Sequence, residues 1–472
     1  MPRWTRRIQS PSPREAGRGA AAAIAALLAL LSAPATARAN GAFPDSENVL
    51  TPADRPQDIL IVTNFGLIAS SDGGQTWLWS CEQDGNALGS FYQLTPLPRN
   101  RLFTVTNQNL GYSDDRSCGW QVSGGAIVGQ SITDAYLDPV SGTRVLAIGV
   151  ASQIYSLFPS TDAGMTFGPA LYQAAAGTTM NGVEIAQSDG NVVYLAMRTS
   201  AGAPLLARSA DAGAHFTVND LGASLGTGLL RIIAVDPQDP NRVLMRFLGT
   251  DNQSLALTVD GGTSATKPVT INGDFNSFTR LPSGTILVGG VVEFSTRPGL
   301  FRSHDRGTTF EMVANPPAIR ALSQRGGKVY GAADNFGDGY ALGTSTDEGT
   351  TWQALMTYAE VKAINPCLKA YCQTTCEAEV MVSLWTEDVC SADVPGSTGA
   401  GGTGGAGGGT GGGGRAGSGG AGGAGAGGTT PPAKHGGCDV AAAPGATSAL
   451  WLALVWLAAA RRRRATPTSG SS

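Results

Sequence analysis

Between residues 45 and 357 the chain alternates short apolar runs with polar, glycine-rich breaks. The clearest runs are ILIVTN, RLFTVT, RVLAIGV, VVYLAM, RVLMRF, TILVGG and KVYGAAD. Each is followed by a second run, such as GLIAS, QIYS, GLFRS or YALGTS. Each is preceded by a turn and a further short run, seen best in IIAVDPQDPNRVLMRF. Gly, Pro, Asn and Asp punctuate the runs, so each unit predicts about four short strands separated by turns.

One octapeptide marks every unit. SSDGGQTW begins at Ser70, SDDRSCGW at Ser113, STDAGMTF at Ser160 and SADAGAHF at Ser209. TVDGGTSA begins at Thr258, SHDRGTTF at Ser303 and STDEGTTW at Ser345. The copies step by 43, 47, 49, 49, 45 and 42 residues. Four strands per unit, repeated seven times, predict an all-β chain folded as a seven-bladed β-propeller. Circular closure then limits exposed sheet edges. The motif should bridge the third and fourth strands of a blade. Its Ser and Asp side chains accept hydrogen bonds from nearby backbone N–H groups. Its glycine permits a backbone conformation that side chains resist, and its final aromatic enters the core. Asp72, Asp115, Asp162, Asp211, Asp260, Asp305 and Asp347 are therefore read as structural, because seven equivalent copies around a ring cannot converge on one substrate. The second copy has Ser117 where glycine is expected. The fifth lacks the aromatic, which marks blade five as the irregular one.

The pattern S-x-D-x-G-x-x-[W/F] resembles the Asp-box, or BNR repeat, of sialidases, sortilin-type receptors, xyloglucanases and photosystem II assembly factors. The resemblance covers roughly residues 45–357. It implies that the boxes are structural and lie opposite the usual ligand face. That face is built by the loops joining second and third strands and by the connections between blades. Those loops are tight in blades one to three and longer in blades four to seven: RTSAGAP, LGTDNQS, VEFSTRPG and DNFGDG. A ligand site is therefore expected off-axis, with Arg198, Asp251, Asn252, Glu293, Arg297, Asp334 and Asp338 as candidate contacts. DNFGDG looks like half a calcium loop but lacks the downstream Glu, and is read as a turn.

The ends of the chain change how its charge is read. The formal net charge of the 472 residues is −4. Residues 1–39 carry six Lys+Arg and one acid, and Arg461–Arg464 add four positive charges. The body between holds 22 basic and 35 acidic side chains, which disfavours a nucleic-acid partner. The basic start, the run AAAAIAALLALL and Ala37-Arg38-Ala39 read as an export signal over residues 1–39. The propeller is assigned to 40–360, a Cys-rich segment to 361–392 and a Gly-rich spacer to 393–432. Residues 433–464 pair Gly436-Gly437-Cys438 with an apolar helix candidate and the arginine cluster, and 465–472 form a polar tail. The apolar stretch is a short membrane helix with its arginines on the inner side. The order of these three elements resembles the MYXO-CTERM sorting segment of myxobacteria. That resemblance implies a C-terminal sorting protease as partner and attachment through Cys438.

Export permits disulfides. Cys81 and Cys118 lie near the outer turns of neighbouring blades and are expected to pair. Cys367, Cys372, Cys376 and Cys390 are expected to form two bridges among themselves, leaving Cys438 over.

No metal motif, P-loop, GxSxG or Ser/His/Asp set is present, and no cofactor is implied. The three histidines are His215 and His304, inside box turns, and His435. The expected function is a non-catalytic binding or scaffold module, exported and held at the cell surface, for a protein or polysaccharide ligand. The alternative is a sialidase-like or xyloglucanase-like glycoside hydrolase, which needs two placed carboxylates. Glu184 and Glu293 are available, but nothing in the sequence pairs them.

Overall fold

The computed structural model describes residues 44–52, 55–81, 91–94 (backbone), 101–105, 109–115, 117–293, 297–381 and 383–393. The export segment, the glycine-rich stretch and the C-terminal segment with Cys438 lie outside the described residues. Seven four-stranded antiparallel meanders follow one another over residues 46–81, 91–122, 131–173, 178–220, 229–271, 274–312 and 321–356. They are the blades of an all-β seven-bladed propeller. In each, the first strand is innermost, and five of these inner strands carry a β-bulge, as at 180–182 and 232–234. Bulges twist a strand and re-aim its side chains.

Buried apolar side chains cluster at the seams between blades. Phe103 and Tyr112 meet Ile132 and Phe158 at the second seam, and Leu206 meets Leu230 and Met245 at the fourth. The first seam is the thinnest among the described residues, with Leu60, Val62, Leu67 and Leu102 buried.

Arginines cross the other six seams. Arg101 donates to Ala163 O at 2.7 Å, and Arg144 donates to Gly190 O. Arg208 donates to Asn241 Oδ1 at 3.2 Å and Arg242 to Arg306 O at 2.9 Å. Arg302 donates to Thr350 Oγ1 at 2.9 Å and Arg325 to Asp58 O at 2.7 Å. Between blades 1 and 2 the described cross-seam bond is a hydroxyl pair, Ser117 Oγ to Ser80 Oγ at 3.3 Å.

The Cys-rich segment fastens that first seam. After blade 7, strand Val361–Ile364 joins blade 1 as a fifth strand, parallel to Trp77–Cys81. Asn365 N donates to Trp79 O at 2.7 Å, and Trp385 packs edge-on against Trp79 with centroids 4.9 Å apart. Cys81 bonds to Cys372 and Cys118 bonds to Cys367. The expected Cys81–Cys118 bridge is therefore corrected: each propeller cysteine reaches a separate partner in the tail. Only Cys376–Cys390 lies within the segment, where two internal bridges were expected. The reason is helical spacing. In helix Lys369–Met381, Cys372 and Cys376 sit four residues apart on one face, so one can meet blade 1 while the other holds the short helix Glu387–Ser391.

Each repeated turn joins the third and fourth strands of its blade. In all seven the leading Ser or Thr hydroxyl donates to the Asp Oδ1 at 2.7–2.8 Å. The same hydroxyl accepts from the fifth residue's N–H at 2.9–3.0 Å. That fifth residue has φ between 74° and 98°, Ser117 included. The residue before it is also left-handed in every described copy, from Glu348 at 57° to Gly73 at 78°. Blade five keeps its four strands despite Ala265 in the aromatic position. Its outer pairing carries a bulge between Leu255 and Leu257, as that of blade seven does between Leu342 and Gly343.

Candidate functional site

The blades present two faces and an inner wall, and each carries chemistry. On the loop face, Arg198 is the penultimate residue of the second strand of blade 4, and Asp251 and Asn252 occupy the blade 5 turn closed by Gly249 N to Asn252 O at 2.9 Å. All three side chains are exposed and make no hydrogen bond or ion pair among the described residues. In blade 6, Arg297 and Glu293 lie 3.7 Å apart across the turn, both more than half exposed. Such a pair contributes little stability in water.

Asp334 and Asp338 sit differently. Asp334 Oδ1 accepts from Phe336 N and Gly337 N at 3.0 Å, and Asp338 Oδ2 accepts from Ala318 N at 2.9 Å and Asp334 N at 3.1 Å. Both carboxylates hold the nine-residue turn between the second and third strands of blade 7. The structure thus leaves Arg198, Asp251 and Asn252 open on one sector of the face and engages Asp334 and Asp338 with backbone.

Acids on the inner strands of blades 3 and 4 each reach the neighbouring blade. Asp134, on the inner strand of blade 3, accepts from Val183 N of blade 4 at 2.9 Å. Glu184, on the inner strand of blade 4, accepts from Val235 N of blade 5 at 2.7 Å and is hydrogen-bonded to the Tyr136 hydroxyl. Burial pushes Asp134 up to about 6 and Glu184 to about 7, and the charge of Asp134 raises Glu184 further. The two form a chain in which each blade's acid fixes the next blade's bulged strand. Asp134 carries no mark in the sequence, because a lone Asp in a strand-like run looks solvated until the bulge turns it inward.

On the box face, a cleft of about 540 Å³ opens between blades 4 and 5, lined by Arg208, Asp211, His215, Asn219, Asn241 and Asp260. His215 Nδ1 lies 2.6 Å from Asp211 Oδ2. It stands where Thr166, Thr309 and Thr351 place a hydroxyl in their own turns. The ring nitrogen thus repeats the threonine's task, and its bond, more than any other contact, holds Asp211 well below the usual carboxylate range. Among the described residues no group of His, Cys, Asp and Glu is placed to hold a metal.

No family model and no curated protein matches the sequence. Solved structures are similar in fold. A GH74 enzyme from Niastella koreensis shares 14% identity at a TM-score of 0.38, over 66% of this chain and 65% of its own. YCF48 from Cyanidioschyzon merolae shares 8% at 0.42, over 61% and 92%. A puromycin-hydrolyzing peptidase from Mycobacterium tuberculosis shares 13% at 0.45, over 68% and 55%. The chain spans less than two thirds of the GH74 structure's length. These likenesses concern the fold alone and carry no activity over to this chain.

Proposed function

We propose that this protein is an exported, surface-anchored propeller that binds a protein or polysaccharide ligand without transforming it. The supporting observation is the sector of loop face where Arg198, Asp251 and Asn252 stand exposed and unpaired on two segments, one in blade 4 and one in blade 5. Polar side chains held by a rigid scaffold and left without partners suit recognition. Export, processing by a C-terminal sorting protease, attachment through Cys438 and a membrane helix complete the proposal on the strength of the sequence.

Hydrolysis is the second reading, favoured by the elevated pKa values of Asp134 and Glu184. Against it, both carboxyls are spent on backbone N–H groups, and Glu293 is paired with Arg297 on the rim. The test is incubation of the full chain with envelope and plant polysaccharides, following retention and reducing-sugar release together. Retention lost in Asp251→Ala and Arg198→Ala, with no sugar released, supports binding. Release that disappears in Glu184→Gln overturns it in favour of a glycosidase.

A further inference from the structure

The seam between blades 5 and 6 is loosely packed along the inner wall. The inner strands of blades 3, 4 and 5 pack side by side, as do those of blades 6, 7 and 1, whereas Leu229–Asp236 and Asp274–Arg280 barely touch. The gap is a cleft of about 260 Å³. Arg231, on the inner strand, and Arg246, on the second strand, are direct cross-strand partners in blade 5. Directly opposed residues in an antiparallel ladder project to the same face, and like charges there are destabilising. Both guanidinium groups line the cleft, with Asn276 and Ser277 from blade 6 opposite and Ile232, Ile233 and Phe278 as its apolar wall.

Asp134 feels the charge of Arg231 and Asp274 that of Arg246, but neither acid forms a salt bridge with them among the described residues. Arg231 is exposed and makes no hydrogen bond or ion pair among the described residues. Arg246 donates to Phe275 O across the seam. Burial first, and then the charge of Arg231, lower its pKa. Of the nearby carboxylates, Asp134 accepts from Val183 N and Ala135 N, and Asp274 accepts from the Gln253 side chain. Two cations kept together at the mouth of a cleft, with a spare amide and an apolar wall, form a receptor for one oxyanion on a small ring. Arg forks match carboxylate geometry.

We propose that this seam binds the carboxylate of an acidic sugar unit, a uronate within a polysaccharide, through Arg231 and Arg246, with Asn276 as a further donor. The cleft is below the usual range for drug-sized ligands, which suits a single sugar ring. The inference rests on the binding function proposed above and sharpens it.

The test is calorimetric titration of the full chain with oligogalacturonate, its methyl ester, inorganic phosphate and an oligoglutamate peptide. Binding of the free acid, at least about tenfold weaker for the ester and for Arg231→Gln, supports the seam. Arg231 is exposed and opposes a like charge, so its replacement should not lower thermal stability. Arg246→Gln, which also touches blade 6, is read only beside its melting curve. Equal affinity for acid and ester, or binding indifferent to Arg231→Gln, overturns the site while leaving the wider binding function standing. Binding of phosphate or oligoglutamate without oligogalacturonate overturns the uronate assignment. Silence in all four arms overturns the seam, and loss of polysaccharide and protein retention as well removes the binding function with it.

Discussion

Cys372, in the helix that follows the last blade, is bonded to Cys81 at the outer edge of the first, 291 residues earlier. A few residues away, Cys367 is bonded to Cys118 across the neighbouring blade, at a separation of 249. The ring is thus closed by its tail. The first seam, thin in apolar side chains and crossed by no arginine among the described residues, is the one the tail covers. A propeller that swaps no strand between its first and last blades needs another lock, and here it is covalent.

Removing that lock should be felt locally and globally. The chain-entropy account assigns about 5 kcal/mol to closing loops this long, and native bridges typically deliver about 2–4. The double variant Cys81→Ser, Cys372→Ser is expected to lose an amount in that range by denaturant unfolding. Hydrogen exchange should rise first in strand Val361–Ile364 and in blades 1 and 2, with blades 4 and 5 still protected. Uniform loss of protection around the whole ring would show that the tail does not set the weak seam.

The glycines of the repeated turns divide by what faces them. Gly164 has φ 80°, and a Cβ there would stand 2.5 Å from Phe103 Cζ. Gly307 has φ 86°, yet its Cβ would meet Leu244 at an ordinary 3.5 Å. Gly307→Ala should therefore cost only the left-handed backbone term, about 1 kcal/mol. Gly164→Ala adds a clash with a buried ring and should cost about 2–4. Ser117→Gly runs the other way: it relieves a left-handed serine at φ 74° but gives up the bond to Ser80. Its expected effect is within about 0.5 kcal/mol of zero. Thermal melts of the three variants give the order, and equal losses at Gly164 and Gly307 would contradict it.

The blades, the seven turns and the place of the turns between third and fourth strands were legible in the sequence, because each is set by residues within one period. Ser117 was legible as a departure, though the second left-handed position of the other turns was not, since Ala163, Arg306 and Glu348 carry no mark of that geometry. The cysteine partners were hidden for a different reason. Cys81 and Cys118 look like neighbours until ring closure brings residues 367 and 372 to them. The opposed Arg231 and Arg246 and the buried Asp134 were equally hidden. Their placement depends on register and bulges along the inner strands.

The turn aspartates set the acid limit of the fold. Burial opposes ionisation of Asp305 and Asp260, but hydrogen bonds together outweigh it and bring both down to about 2, from Thr309 and Ser303 to Asp305 and from Ser264 and Thr258 to Asp260. Asp347 reaches about 2, chiefly through Thr351. Each folded pKa lies below its unfolded value. Their contribution is present above pH ~4 and is lost as pH falls towards about 2. Acid unfolding should therefore begin below pH ~4. Asp305→Asn keeps an acceptor for Thr309 N but removes the titration, and should flatten that limb while lowering stability at pH 7. An unchanged acid limb in this variant would remove the turns from the explanation.

Asp134 and Glu184 act with the opposite sign. Burial raises both, to about 6 and about 7, so the fold favours their protonated forms. Their contribution is complete below the unfolded pKa, near 4, and is lost as pH rises through 6 and 7. With the turn aspartates failing on the acid side, the protein should be most stable in mildly acidic solution. Glu184→Gln separates the two effects. The amide oxygen still accepts from Val235 N, its NH₂ reaches the Tyr136 hydroxyl, and no charge is left to desolvate. A shift of this size is worth at most about 3 kcal/mol. The variant should therefore melt a few degrees above the parent at pH 8 and match it at pH 5. Val235 N would lose its acceptor in Glu184→Leu, which should be less stable at both pH values because a buried N–H is then unsatisfied. If Glu184→Gln is destabilised at pH 8 by as much as at pH 5, the acid is held ionised by the inner wall, and the mild-acid optimum must come from elsewhere.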